Sequence, residues 1–68
     1  MSRESILLGK NLKKVRTGKG MSQGDIAKEL GVSRGYLSNI EHGKMNPTLT
    51  TIVNLAKALG VTSDALIK

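Results

Sequence analysis

The sequence has no cysteine, one proline, one histidine and one aromatic residue, Tyr36. Without cysteine the chain has no disulfide framework and no thiolate metal or redox site, which fits a reducing cytosol. The single histidine, His42, has no cysteine or second histidine with which to share a metal ion, so we expect no metal site and an exposed helix-end position for His42. One aromatic ring is too few for an RNA-stacking surface, which uses several exposed rings.

Other patterns are missing as well. No apolar run approaches the roughly 20 residues of a membrane span, and no signal peptide is visible. We therefore expect a cytoplasmic protein that does not associate with a membrane. The Gly-Lys pairs at positions 9, 18 and 43 are not followed by serine or threonine, which excludes a P-loop. No spacing singles out a catalytic serine and its partners. We therefore predict that the chain is not an enzyme and uses no cofactor.

The charged residues are unbalanced. Eleven lysines and arginines face five acidic residues, and the net charge is +6 over 68 residues. A basic balance favours a polyanionic partner, because cationic side chains near phosphates release condensed counterions. Basic proteins without a nucleic-acid role are common, so charge alone does not decide this. The distribution of the positive charges supports a polyanionic partner, because several cationic residues cluster on the first predicted helix: Lys10, Lys13, Lys14, Arg16 and Lys19.

The stretch from 23 to 42, QGDIAKELGVSRGYLSNIEH, carries the clearest pattern. Ser22 is a good N-cap, and Asp25 three residues later fits a capping box. Gly31 ends this helix, because a residue just past a helix end often needs a positive φ. Ser33 caps a second helix, which we expect to run from about 33 to 42.

Small and apolar residues in this stretch fit two helices that cross closely. Ala27 provides a small side chain at the crossing, and apolar residues at helical spacing face inward: Ile26, Leu30, Val32, Leu37 and Ile40. This is the pattern of a helix-turn-helix, which can lay its second helix in the DNA major groove. The alternative is an αα-hairpin that shares the spacing. Agreement among caps, glycine and apolar positions favours the helix-turn-helix.

The flanking sequence predicts three more helices. One runs from about Ser5 to Thr17 and contains Gly9, which either permits a close helix crossing or is simply tolerated at a cost of about 1 kcal/mol. Thr48 caps a fourth helix, whose apolar face is expected to include Leu49, Ile52, Val53, Leu55, Ala56 and Leu59. A short fifth helix follows Thr62 or Ser63. With no strand-like alternation, residues 1–68 are predicted to form one all-α domain of five helices.

Two adjacent apolar residues, Leu66 and Ile67, lie on this last helix. One can point into the core, and the other then tends to face outward. A small domain buries only about 60% of its unfolded surface, so oligomerisation is a natural supplement. We therefore expect Leu66 and Ile67 to mark a dimer surface. The alternative is a frayed terminus that contacts only water.

The sequence resembles a known family over nearly its whole length. The motifs that carry the resemblance are Met21-Ser22-Gln23, Ile26-Ala27, Leu30-Gly31-Val32-Ser33, the run from Tyr36 to Glu41, Gly43-Lys44 and the run from Leu55 to Val61. They resemble the lambda-repressor-like helix-turn-helix family, also called Cro/C1 or Xre type, and within it SinR-type repressors, restriction–modification controller proteins and phage repressor domains. The resemblance implies a five-helix fold, sequence-specific binding of double-stranded DNA as a homodimer, and control of transcription.

The resemblance also implies roles for individual residues. Gln23, Tyr36 and Lys44 match positions that contact the DNA backbone. The second helix of the motif matches the recognition helix of the family, and the positions on its exposed face are occupied by Ser33, Arg34, Gly35, Ser38 and Asn39. Arg16 and Glu41 match a pair that forms a partly buried salt bridge in several members. Gly35 departs from the pattern, because relatives often place a base-reading side chain there.

The chemistry of the side chains on this face suggests what they read. The Arg34 guanidinium can donate two hydrogen bonds to guanine O6 and N7, which is worth about 1–3 kcal/mol of discrimination. Asn39 can read adenine, whereas the short Ser38 hydroxyl reaches base, phosphate or water. Alternatively, Arg34 contacts a phosphate or is a solvated surface charge, and Asn39 is a polar surface residue. Gly35 lets the backbone approach DNA.

Two competing hypotheses remain at this point. The chain can be a protein-interaction module, such as an antitoxin that neutralises a partner toxin, with DNA binding secondary or lost. It can also be the DNA-binding domain of a longer repressor. The sequence names no operator, regulated gene or inducer.

Overall fold

The computed structural model describes residues 2–68, which form five helices and no strand. They are α1 (Arg3–Gly18), α2 (Gln23–Leu30), α3 (Arg34–Glu41), α4 (Leu49–Leu59) and α5 (Asp64–Ile67). The all-α, five-helix prediction is therefore confirmed. Within residues 2–68, no helix has the length and apolar character that crossing a bilayer requires.

Most predicted helix ends are confirmed. Thr48 caps α4 by accepting a hydrogen bond from the Thr51 amide, and Gly60 ends that helix in the left-handed conformation with φ of 69°. The start of α1 is different from the prediction. The helix begins at Arg3, because the side chains of Ser2 and Ser5 form a capping box with each other's backbone amides at 3.0 Å.

The core lies where α1, α4 and α5 pack around the helix pair of α2 and α3. Its largest members, all 2% exposed or less, are Leu12, Ile26, Leu37, Ile40, Leu55, Leu59 and Leu66. Leu49 was predicted to face the core, but it is 70% exposed. As the first residue of α4, it lies on the turn that precedes the packed part of that helix.

Gly9 settles the choice that the sequence left open. A methyl group built there would lie 2.5 Å from the carbonyl oxygens of both Ile40 and Glu41. The end of α3 therefore packs directly on the backbone of α1, at a distance that only glycine permits. Gly9 thus sets how closely the end of α3 approaches α1.

Leu66 corrects the dimer prediction. Its side chain is 0% exposed and belongs to the core cluster, and its carbonyl oxygen accepts a hydrogen bond from Asn11 Nδ2 at 2.9 Å. Leu66 therefore holds α5 against α1 inside the protomer and offers no surface to a second copy. Ile67 faces outward and is 43% exposed.

Candidate nucleic-acid interface

The start of α2 and the turn from α2 into α3 are both built from local hydrogen bonds. Ser22 Oγ accepts from the Asp25 amide at 3.0 Å, and Asp25 Oδ2 accepts from the Ser22 amide at 2.8 Å. Gly31 has a φ of 71°, and the Val32 amide donates to the Ala27 carbonyl at 2.9 Å. These bonds satisfy the amide and carbonyl groups that a helix end leaves unpaired, and the bond at Val32 defines the entry of the chain into α3.

One face of α3 is polar and open to solvent. Arg34, Gly35 and Asn39 are exposed and Ser38 is half-buried, whereas Leu37 and Ile40 on the opposite face are fully buried. The buried pair anchors the helix, and the other side is left free for a partner. The structure thus brings four of the five predicted base-contact residues together on one outward face.

Arg34 is placed by α2 as well as by its own helix. Its Cδ lies 3.5 Å from the point where a side chain on Gly24 would begin, so its aliphatic stem crosses the first turn of α2. Among the residues that the structure describes, no carboxylate or carbonyl holds its guanidinium. The planar group is available to an external acceptor.

Ser33 differs from the other predicted base contacts, because its hydroxyl oxygen already accepts a hydrogen bond within the protein. Its Oγ accepts from the Tyr36 amide at 3.0 Å and so caps α3. The residue is exposed, and the hydroxyl proton remains available to donate outward. Ser33 therefore lies at the edge of the candidate interface as the cap of α3.

The predicted backbone contacts surround α3. Tyr36 is half-buried and packs against the core cluster, and Lys44 is exposed in the loop after α3. The Lys44 amide donates to the Asn39 carbonyl at 2.9 Å, so the loop is fixed to the last turn of the helix. Gln23, at the start of α2, is half-buried and turns its amide toward the end of α3.

The ion pair implied by the resemblance is present. Arg16 Nε donates to Glu41 Oε2 at 2.6 Å and Arg16 Nη2 donates to Oε1 at 3.0 Å, while their side chains are only 11% and 2% exposed. Gln23 Nε2 donates to the same Oε1 at 3.1 Å, and Arg16 Nη1 donates to the Met21 carbonyl at 2.9 Å. One carboxylate therefore joins α1, α2 and α3.

Ionisation of the pair follows from these contacts. Burial raises the pKa of Glu41, but hydrogen bonds from Arg16 and Gln23, with the charges of Arg16 and Lys13, outweigh it and lower the pKa below its ordinary 4.5. The hydrogen bond to Glu41 raises the pKa of Arg16, against the effect of its own burial. Both groups therefore stay charged at neutral pH, and α3 is held by a permanent ion pair.

Sequence reasoning missed one contact on this face. His42 Nδ1 lies 2.7 Å from the Ser38 carbonyl oxygen and 3.3 Å from Ser38 Oγ. The signal was the four-residue spacing, which places two side chains on the same face of a helix.

Comparison with known proteins agrees with this geometry. Residues 12–66 match the family described as helix-turn-helix. The chain belongs to this family, of the lambda-repressor-like or Cro/C1 type. It is a family of DNA-binding transcriptional regulators rather than enzymes.

Relatives of this helix-turn-helix chain include regulators and controller proteins. An uncharacterized HTH-type transcriptional regulator, y4dJ, from Sinorhizobium fredii is 41% identical over 61 residues, which are 90% of this chain and 79% of the relative. The chain spans only 43–58% of the length of four other curated relatives.

Solved structures of helix-turn-helix controller proteins have the same fold. The restriction–modification controller protein C.AhdI from Aeromonas hydrophila superposes with a TM-score of 0.89 at 34% identity, over 96% of this chain and 98% of that one. The controller protein C.Esp1396I, solved as a tetramer in complex with its natural 35 base-pair operator, superposes with a TM-score of 0.86 at 30% identity, over 97% and 87%.

Proposed function

We propose that this chain binds double-stranded DNA at specific sequences and regulates transcription, with α3 as the recognition helix. The observation that carries the proposal is the open polar face of α3, held by a buried apolar face and by the Arg16–Glu41 pair. The helix has eight residues. An α-helix with its side chains is about 10–12 Å across, so it fits a major groove about 12 Å wide.

Base reading is assigned to the exposed face of α3. Arg34 donates to guanine O6 and N7, and Asn39 pairs with adenine N6 and N7. Ser38 and Ser33 supply hydroxyl groups beside them. At Gly35 the helix backbone approaches the base edges, since no side chain stands between them.

Backbone contacts are assigned to Gln23, Tyr36 and Lys44. The Tyr36 hydroxyl and the Lys44 ammonium donate to phosphates, and Gln23 does so from the start of α2. Phosphate contacts set the position of the protein on DNA and supply most of the affinity, whereas base contacts set the sequence preference.

We further propose that the functional unit is a homodimer. The chain measures 26 × 23 × 21 Å and contains one recognition helix, so one copy cannot reach two successive turns of the major groove about 34 Å apart. A surface for a second copy is available around Ile67. Its side chain, 43% exposed, lines an apolar groove of about 240 Å³ together with Leu7, which is 38% exposed, Pro47 and Ile52.

The experiment is a binding selection from random duplexes, followed by titration of the selected site. We expect a near-palindrome with half-sites one helical turn apart, bound by two copies of the chain. Arg34→Ala should remove the preference for guanine in each half-site and leave the melting temperature unchanged. Lys57→Ala, an equal charge change at an exposed position of α4, is the matched control and should keep that preference.

Two results would refute this proposal. If the selected pool shows no enriched sequence, the chain does not read bases. If Arg34→Ala selects the same site with unchanged affinity, the assignment of Arg34 is wrong. An unenriched pool together with a stable complex with another protein would support the interaction-module hypothesis.

A further inference from the structure

His42 is fixed more closely than an exposed residue at a helix end requires. It is the C-cap of α3, and its Nδ1 lies 2.7 Å from the Ser38 carbonyl oxygen. A carbonyl oxygen only accepts hydrogen bonds, so Nδ1 carries a proton and donates it. The ring atom left for an external partner is therefore Nε2, on the side of the imidazole away from the helix.

The position of His42 continues the row of side chains proposed to meet DNA. Arg34, Ser38 and His42 follow one another at intervals of four residues, so they lie along one face of α3. Arg34 is at the first turn of the helix and His42 is at its end, and both are exposed. A DNA strand that follows this face passes close to Nε2.

The charges around this end of α3 are mostly positive. On α1, Lys13 is exposed and Arg16 is already paired with Glu41, and Lys44 is exposed in the loop that follows α3. The α2 helix presents the uncharged Gln23 here, while its Asp25 carboxylate is turned to the Ser22 amide. Glu41 is paired with Arg16 and Asp25 with the Ser22 amide, so neither carboxylate is free to balance a charge on His42, whereas a DNA phosphate would balance it.

With Nδ1 fixed as a donor, the imidazole has two forms. Bare Nε2 is an acceptor, and protonated Nε2 is a donor on a cationic ring. Phosphate oxygens accept hydrogen bonds and carry negative charge, so they select the cationic form.

We propose that His42 binds a DNA phosphate as an imidazolium through Nε2–H, so that each protomer takes up one proton from solvent when it binds DNA. This inference rests on the proposed DNA-binding function. It makes operator affinity dependent on pH near neutrality, where histidine is the one side chain type that ordinarily titrates.

The test measures the affinity for the selected duplex between about pH 5.5 and 8.5 at constant salt, with proton uptake measured by calorimetry in buffers of different ionisation enthalpy. By linkage, the affinity of a dimer should fall by up to about 100-fold per pH unit over the range in which two protons are bound in the complex but not in the free protein, and it should level off at higher pH. The terminal amine also titrates in this range, but it is common to the wild type and the variants and cancels in their difference.

Two variants make the result specific. His42→Gln keeps a hydrogen-bonding side chain but takes up no proton at this position, so it should lack the part of the pH dependence that His42 causes and should equal the wild-type affinity at high pH. His42→Arg carries a permanent charge, so it should bind as tightly at high pH as the wild type does at low pH. Melting curves on both variants establish that each is folded at the assay temperature.

Equal pH dependence in wild type and His42→Gln would overturn the inference. Tighter wild-type binding at high pH would also overturn it, because neutral Nε2 would then be accepting a hydrogen bond from a base. Failure of the wild type to bind any selected duplex at any pH would instead refute the proposed function. The two failures are therefore distinguishable.

Discussion

Replacing Glu41 by glutamine tests how the recognition helix is held. The two carboxylate oxygens of Glu41 accept from Arg16 Nε, Arg16 Nη2 and Gln23 Nε2 at 2.6, 3.0 and 3.1 Å. Glutamine has the same shape, but one oxygen becomes an NH₂ group. In either amide orientation that group faces at least one N–H donor, and Arg16, 11% exposed, keeps an uncompensated charge.

The expected cost is large for a domain of this size. Removing one partner of a buried ion pair costs about 3–5 kcal/mol. A chain of 68 residues has a total stability of about 3–10 kcal/mol, at roughly 0.05–0.15 kcal/mol per residue. Each kcal/mol shifts the melting temperature of such a domain by about 4–8 °C, so we expect a fall of about 12–40 °C.

The assay is thermal and urea unfolding followed by circular dichroism. Asp64→Asn is the matched control, because it makes the same chemical change in a pair whose Asp64 and Lys68 side chains are 67% and 76% exposed. That pair is worth about 0–1 kcal/mol. If Glu41→Gln unfolds at the same temperature as Asp64→Asn, the pair does not hold α3. Gln23→Ala removes one of the three donors and is a milder variant in case Glu41→Gln does not fold.

The Glu41→Gln variant also tests how the stability of the domain depends on pH. Because the pKa of Glu41 is lowered in the folded state, the stability that this carboxylate contributes is present above its unfolded value of 4.5. It is lost as the pH falls through the folded pKa. The difference in unfolding free energy between wild type and Glu41→Gln should thus be constant from about pH 6 to 8 and should shrink below about pH 4.5. A difference that grows in acid would contradict this sign.

Three further predictions follow from the packing and charge of the domain. Gly9→Ala should lower the stability of the domain by about 1–3 kcal/mol or more in thermal unfolding, because the new Cβ would lie 2.5 Å from two carbonyl oxygens of α3. Gly18→Ala is the control, since a Cβ there has nothing within 4 Å, and it should be neutral or stabilising. Gly35→Ala should stabilise α3 by about 1 kcal/mol, since its Cβ would meet only Ser33 Oγ at 3.9 Å. The same variant should weaken operator binding if the backbone at Gly35 touches DNA, and unchanged binding would exclude that contact. If a dimer neutralises about eight phosphates, log K should fall against log salt with a slope near −7 in a salt titration, and a slope near zero would exclude a phosphate-based interface.

The sequence by itself determined the elements that depend on neighbours along the chain. Ser22, Gly31, Thr48 and Gly60 act within a few residues of their own position, through side-chain caps and positive φ angles, so their roles could be read from residue type and spacing. The polar face of α3 was also predictable, because helical periodicity separates it from Leu37 and Ile40. The start of α1 was not found, since Ser2 and Ser5 form a less familiar capping box.

Only the tertiary structure decided the questions that depend on contacts between distant segments. Gly9 and the end of α3 are more than 30 positions apart, so no local pattern could show that a single methyl group would collide there. Leu66 and Ile67 are equally apolar, and it was the packing of α5 on α1 that turned Leu66 into the core and left Ile67 exposed. Local geometry follows from short-range sterics and hydrogen bonds, whereas the choice of which apolar side chain is buried depends on how whole helices pack.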